Sequence, residues 1–138
     1  MTLDADVIRG RCSEIEQAVD RLERIREAGR VAFLADRDAQ DIACYRLLVA
    51  IEASLALCYH VSARRLKRVP DDYAGCFAGL EAGDVIPAAL STRLQHMARF
   101  RNLLVHVYWV IDYERVFDAL EKDLTDLREF SRIIAALL

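Results

Sequence analysis

Lysine is nearly absent from this chain: of nineteen basic residues only Lys67 and Lys122 are not arginine, a bias that carries no functional weight by itself. Net positive charge is absent too. With 22 acidic residues and a formal charge of −3, this is not an overall basic protein of the kind that coats nucleic acid. Any such contact must be a local patch or lie across an oligomer interface. Cys12, Cys44, Cys58 and Cys76 form no Cys-x-x-Cys pair and are expected to be free buried thiols in a reducing cytoplasm. Cys58 and His60 are two residues apart, about 200° around a helix, so they do not converge on a metal. Neither metal nor cofactor is expected. The first residues lack the basic start and apolar stretch of a signal peptide. The run from Leu47 to Val61 is broken by Glu52, Ser54 and His60 and is short for a membrane span, so a soluble cytoplasmic protein without membrane association is expected. Repeats, low-complexity tracts and dividing linkers are missing as well. That leaves one domain, residues 1–138, long enough to bury about two thirds of its unfolded surface.

What the chain does have is helical periodicity. From about Asp4 to Ala28, apolar residues at Ile8, Cys12, Ile15, Val19, Leu22 and Ile25 step by three and four, with charges on the other faces expected to be solvated. Gly29 suits the end of that helix. Asp38 and Asp41 suit the start of a second, from about Ala39 to Leu66, whose centre is apolar almost all round, as in a helix enclosed by others. Glu52 falls in register with Tyr45, Leu48, Val49, Leu55, Ala56 and Tyr59 and needs a partner. One of the many arginines would serve, Arg101 or the neighbourhood of His106 being the more pointed choice. Arg64, Arg65, Lys67 and Arg68 end this helix, as cations favoured at a C-terminus or as phosphate contacts.

Pro70 stops it. Asp71 and Asp72 can cap a short helix carrying Tyr73, Phe77 and Leu80 that ends at Gly83. Pro87 opens a fourth, in which Arg101 continues the stripe of Leu90, Leu94 and Met97. Asp112 can cap a last helix with Val116, Leu120, Leu124, Leu127 and Ile134 inward, and Asp118, Glu121, Lys122 and Asp126 outward. Leu103 to Ile111 is the one candidate strand. With nothing to pair with, it reads as helix or an irregular helix end. The fold class is all-α, a bundle of four to five antiparallel helices.

One stretch sets polar groups where they are costly: Arg101-Asn102-Leu103-Leu104-Val105-His106-Val107-Tyr108, followed by Trp109-Val110-Ile111-Asp112. Asn102 and His106 share a helix face, while Arg101 lies about 140° from His106 and must reach round to it. The spacing alone also fits a core histidine, a surface arginine and a core tyrosine.

The stretch resembles the Arg-x-x-x-x-His-x-Tyr signature of the HEPN superfamily, in particular HepT-like toxins. Tyr45 to Ala53 with Leu57 to Val61 resembles that family's second helix. The approach from Gly83 to Arg101 and the tail from Asp112 to Phe130 fit as well. The resemblance implies a HEPN-like bundle and a metal-independent endoribonuclease, the toxin partner of a minimal nucleotidyltransferase antitoxin that can silence it by adenylylating the motif tyrosine, here Tyr108.

The residue chemistry agrees with that implication. His106 can act as general base or acid, Arg101 supplies permanent charge for phosphate oxygens, and Asn102 can orient the phosphate or His106. Glu52 and Asp112 are supporting candidates. One motif histidine per chain is half of an acid–base pair, so a homodimer with the site across its interface is expected, with RNA as substrate. Two other readings stay open: a non-catalytic nucleotide- or substrate-binding module that docks on a nucleotidyltransferase, and a purely structural helical dimer.

Overall fold

The computed structural model describes residues 2–105 and 110–138. Among them are six helices and no strand: α1 (Ala5–Glu27), α2 (Arg30–Leu34), α3 (Arg37–Arg64), α4 (Tyr73–Ala82), α5 (Ala88–Val105) and α6 (Tyr113–Ala135). Five are the expected helices. The sixth, α2, is a single short turn-like helix that the periodicity of its five residues was too brief to reveal. It follows Gly29, whose φ of 95° lets the chain reverse after α1 at a position where a side chain would be strained. Phe33 drops from α2 into the core against Phe117, with ring centroids 5.5 Å apart.

Helix starts follow the acidic residues. Asp36, not Asp38, caps α3 by accepting the Ala39 amide at 3.1 Å, so the helix begins two residues earlier than the Asp38–Asp41 pair suggested. Asp72 accepts from the Gly75 amide and caps α4. Asp112 accepts from the Glu114 amide at 3.0 Å and caps α6. Each such cap is worth about 1 kcal/mol.

Helix α3 is the central element, packed against α1, α4, α5 and α6. Leu47, Ala50, Ile51, Leu57, Cys58 and Val61 are fully buried. It passes by length and composition for a membrane-crossing helix, but its apolar residues are used in this core, save one strip. Leu48, Val49, Ala56 and Tyr59 are half-buried and Tyr45 is exposed, with Glu52 among them. The start of α1 meets the end of α3, where the Asp4 amide donates to Nε2 of His60 at 3.0 Å.

Three expectations are corrected. The charged face of α1 is only partly solvated: Glu16, Asp20 and Glu23 all converge on Arg128 of α6. Asp126, expected outward, is buried and accepts from Nε of Arg93 at 2.8 Å. Cys58 and Cys76, expected as free thiols, are bonded across α3 and α4 with Cα atoms 6.2 Å apart. Cys12 and Cys44 are free. In each case the partner sits on another helix, where sequence spacing carries no information.

Candidate functional site

Helix α5 carries Arg101 and Asn102 in its last turn and ends, among the described residues, at Val105. His106 and Tyr108 lie outside the described residues. The chain is described again from Val110, which is fully exposed, to Asp112 at the cap of α6. Phe100, Leu103, Leu104, Ile111 and Val116 enclose a pocket of about 190 Å³ between the end of α5 and the start of α6, with Asp112 and Arg115 at its edge. The frame on both sides of the motif is thus fixed by packing on one side and by a helix cap on the other.

Arg101 occupies the register position of Leu90, Leu94 and Met97, and that register turns it toward α3. There its Nε donates to Oε1 of Glu52 at 2.5 Å. The Arg101 side chain is 21% exposed and that of Glu52 44%. The guanidinium also lies over the Tyr73 ring, 5.0 Å from its centroid, and Tyr73 stacks edge-on against Tyr59 at 6.0 Å. Burial and the nearby Tyr73, Asp72 and Asp71 push the Tyr59 phenol above its ordinary pKa, so it stays neutral. Held through Nε and from below, Arg101 keeps its two terminal nitrogens free of hydrogen bonds among the described residues. A guanidinium so placed presents its fork to an incoming anion.

Of the residues expected from sequence, Glu52 and Arg101 are brought together. Asn102 is exposed one step further round α5. Asp112 spends one carboxylate oxygen on its cap, and the hydrogen bond and ion pair of Arg101 among the described residues are with Glu52, not with Asp112. Tyr73 was not singled out as part of the site. Its position after a capping aspartate places it in the first turn of α4, but nothing local in sequence shows that α4 brings it under Arg101. His60 serves the N-terminus through Asp4, and burial together with Arg64 holds its imidazole below the ordinary pKa. Among the described residues no three His, Cys, Asp or Glu side chains are grouped to hold a metal ion.

The profile of the family described as Ribonuclease HepT-like matches residues 15–134. The chain belongs to the HepT-like ribonuclease family. Within it, the mRNA nuclease HepT of Shewanella oneidensis is 24% identical over 131 residues, which cover 95% of this chain and 98% of that protein. Among solved structures, the tri-AMPylated Shewanella oneidensis HEPN toxin in complex with MNT antitoxin matches with a TM-score of 0.85 at 24% identity, over 95% of this chain and 98% of that one. A toxin–antitoxin structure with AMP-PNP matches with a TM-score of 0.83 at 23% identity, over 94% and 98%. The all-α bundle is therefore the HEPN fold, and the HepT-like resemblance of the motif extends to the whole helical frame that holds it.

Proposed function

We propose that this protein is the toxin of a toxin–antitoxin pair, a metal-independent endoribonuclease acting on RNA in the cytoplasm. The observation that carries the reading is Arg101: a half-buried guanidinium, oriented by Glu52 and Tyr73, five residues before His106 in a HepT-like chain. In the reaction the ribose 2′-oxygen attacks the adjacent phosphorus and gives its proton to a base. The bond from phosphorus to the 5′-oxygen then breaks, and that oxygen takes a proton from an acid. The products are a 2′,3′-cyclic phosphate and a free 5′-hydroxyl. His106 of one chain serves as base and His106 of a second copy as acid, so the active unit is a homodimer. Arg101 stabilises the charge of the phosphorane, Asn102 orients the phosphate or His106, and Tyr108 positions the substrate. Asp112 supports the site by fixing where α6 begins.

The cognate partner is a minimal nucleotidyltransferase antitoxin that adenylylates Tyr108. The added group puts bulk and negative charge where an RNA phosphate would bind, and so silences the enzyme. The known toxin–antitoxin complex with an AMPylated toxin supports this by kinship.

The test is cleavage of cellular RNA in EDTA by the purified protein and by His106→Ala, with the new ends mapped. Cutting by the wild type alone, leaving 2′,3′-cyclic phosphate ends, is expected. An unmodified wild-type protein, verified by intact mass, that leaves RNA uncut would overturn the reading.

A further inference from the structure

The turn between α3 and α4 carries the densest group of cations in this acidic chain: Arg64, Arg65, Lys67 and Arg68. The fold gives the group a shape. Helix α3 ends at Arg64, Lys67 takes a left-handed backbone with φ 54°, and the Arg68 amide donates back to the Ser62 carbonyl at 2.9 Å. Arg64 is half-buried and donates to the Thr2 carbonyl at 3.2 Å, which anchors the start of the chain. Arg65, Lys67 and Arg68 are exposed and have no carboxylate within ion-pair distance among the described residues. Arg30, Arg93, Arg101 and Arg128, by contrast, are each matched to acidic side chains.

Arg64, Arg65 and Lys67 border a depression of about 440 Å³, shared with Thr2, Leu3, Leu137 and Leu138, and no acidic side chain is among its described lining residues. The acidic residues that follow the turn, Asp71 and Asp72, are exposed. Asp72 caps α4, and both Asp71 and Asp72 lie close enough to Tyr59 to act on its phenol.

We propose that this turn is a second phosphate-binding surface, which grips the RNA backbone at a distance from the reacting bond. The inference rests on the ribonuclease reading and extends it. Arg65, the C-cap of α3, lies thirteen residues beyond Glu52, about 20 Å along the helix axis at 1.5 Å per residue. For a stacked strand rising ~3.4 Å per nucleotide that is on the order of six nucleotides, and fewer for an extended one; single-strand grooves engage roughly 4 to 16. Contacts of this kind are blind to base identity, so the turn adds affinity and leaves the choice of bond to the site at Arg101.

The test is a triple variant, Arg65→Gln, Lys67→Asn and Arg68→Gln. It keeps Arg64, and asparagine tolerates the left-handed backbone at position 67. Binding of a labelled single-stranded RNA of about twenty nucleotides, longer than the proposed span, is measured between about 50 and 200 mM salt. The chain carries His106→Ala so that the RNA stays intact. Removing three phosphate contacts should flatten the slope of log K against log salt by about 2 and weaken binding at least tenfold near 0.1 M. The charge-preserving Arg65→Lys, Arg68→Lys protein should keep the wild-type slope.

An unchanged slope in a folded triple variant would refute the proposal while RNA cleavage by the wild type left the ribonuclease reading standing. The same holds if the triple variant loses its grip on the nucleotidyltransferase while RNA binding is intact, since the turn would then be a protein-docking surface. If the wild-type chain neither binds nor cuts RNA, both readings fall together.

Discussion

Replacing Glu52 and Arg101 by glutamine, singly and together, measures how firmly the bundle holds its guanidinium. A hydrogen bond between charged groups contributes about 1.5–3 kcal/mol when well shielded, and an exposed ion pair about 0.2–1 kcal/mol. This pair stands between the two limits, with Arg101 mostly covered and Glu52 nearly half open to water. A coupling energy of about 1 kcal/mol is therefore expected from the double-mutant cycle. Each single variant should lower Tm by about 3–5 °C, as suits a chain of this size. The two variants should part company in RNA cleavage. Arg101→Gln removes the charge that meets the phosphorane and should cost about 10²- to 10³-fold in kcat. Glu52→Gln keeps an acceptor oxygen and only loosens the orientation of Arg101, so a loss of about tenfold is expected. Thermal melts by circular dichroism and single-turnover cleavage of a short RNA give both readouts. A coupling energy below about 0.3 kcal/mol, together with full activity in Glu52→Gln, would refute the argument that this contact positions the arginine.

Burial and the neighbouring Asp126 push the Asp123 carboxyl up to about 7, against the opposing pull of Lys122. The folded state then binds a proton that the unfolded chain releases near pH 4, so this group makes stability fall as pH rises from about 4 to 7. Asp123→Asn should flatten that slope and stabilise the protein above pH 7 by about 1–2 kcal/mol, a figure reduced for the partial exposure of the side chain. Urea denaturation at pH 5 and 8 decides it, and an equal effect at both would tell against the buried-carboxyl account. Asp112→Ala removes the cap of α6 and should cost about 1 kcal/mol, read as a lower Tm. Asp112→Asn or Asp112→Ser should restore most of it, and a loss that neither restores would assign Asp112 a role beyond capping.

The helices were legible because their signals are local. Stripes such as Ile8, Ile15, Val19 and Leu22 repeat every three or four residues, and Asp72 and Asp112 mark helix starts by a side-chain chemistry that acts within one turn. The half-buried place of Arg101 was legible for the same reason, as a polar residue continuing an apolar stripe. Its pairing with Glu52 was only one of several open choices, since the two are forty-nine residues apart and many arginines were available. Tyr73 under Arg101, Arg128 among the carboxylates of α1, and Cys58 opposite Cys76 were not readable at all. Each depends on how two helices are set against one another. The short α2 escaped because five residues contain too little periodicity to register.

The paired combs of carboxylates on α1 and α6 do something that their apolar stripes do not. A stripe built on steps of three and four looks much the same after a slide of one turn, so apolar periodicity by itself specifies the vertical setting only weakly. Arg128 reads Glu16, Asp20 and Glu23, and a slide of four residues would present it instead with Asp20, Arg24 and Glu27, or with Cys12, Glu16 and Val19. Arg30 reads Glu114, Asp118 and Glu121 in the same rhythm, where a slide would offer Asp118, Lys122 and Thr125, or Val110, Glu114 and Phe117. Two arginines thus act as keys that fit one notch each. The height of α6 against α1, and with it the level at which Asp112 starts α6, is keyed by charge matching as well as by the apolar packing between the helices.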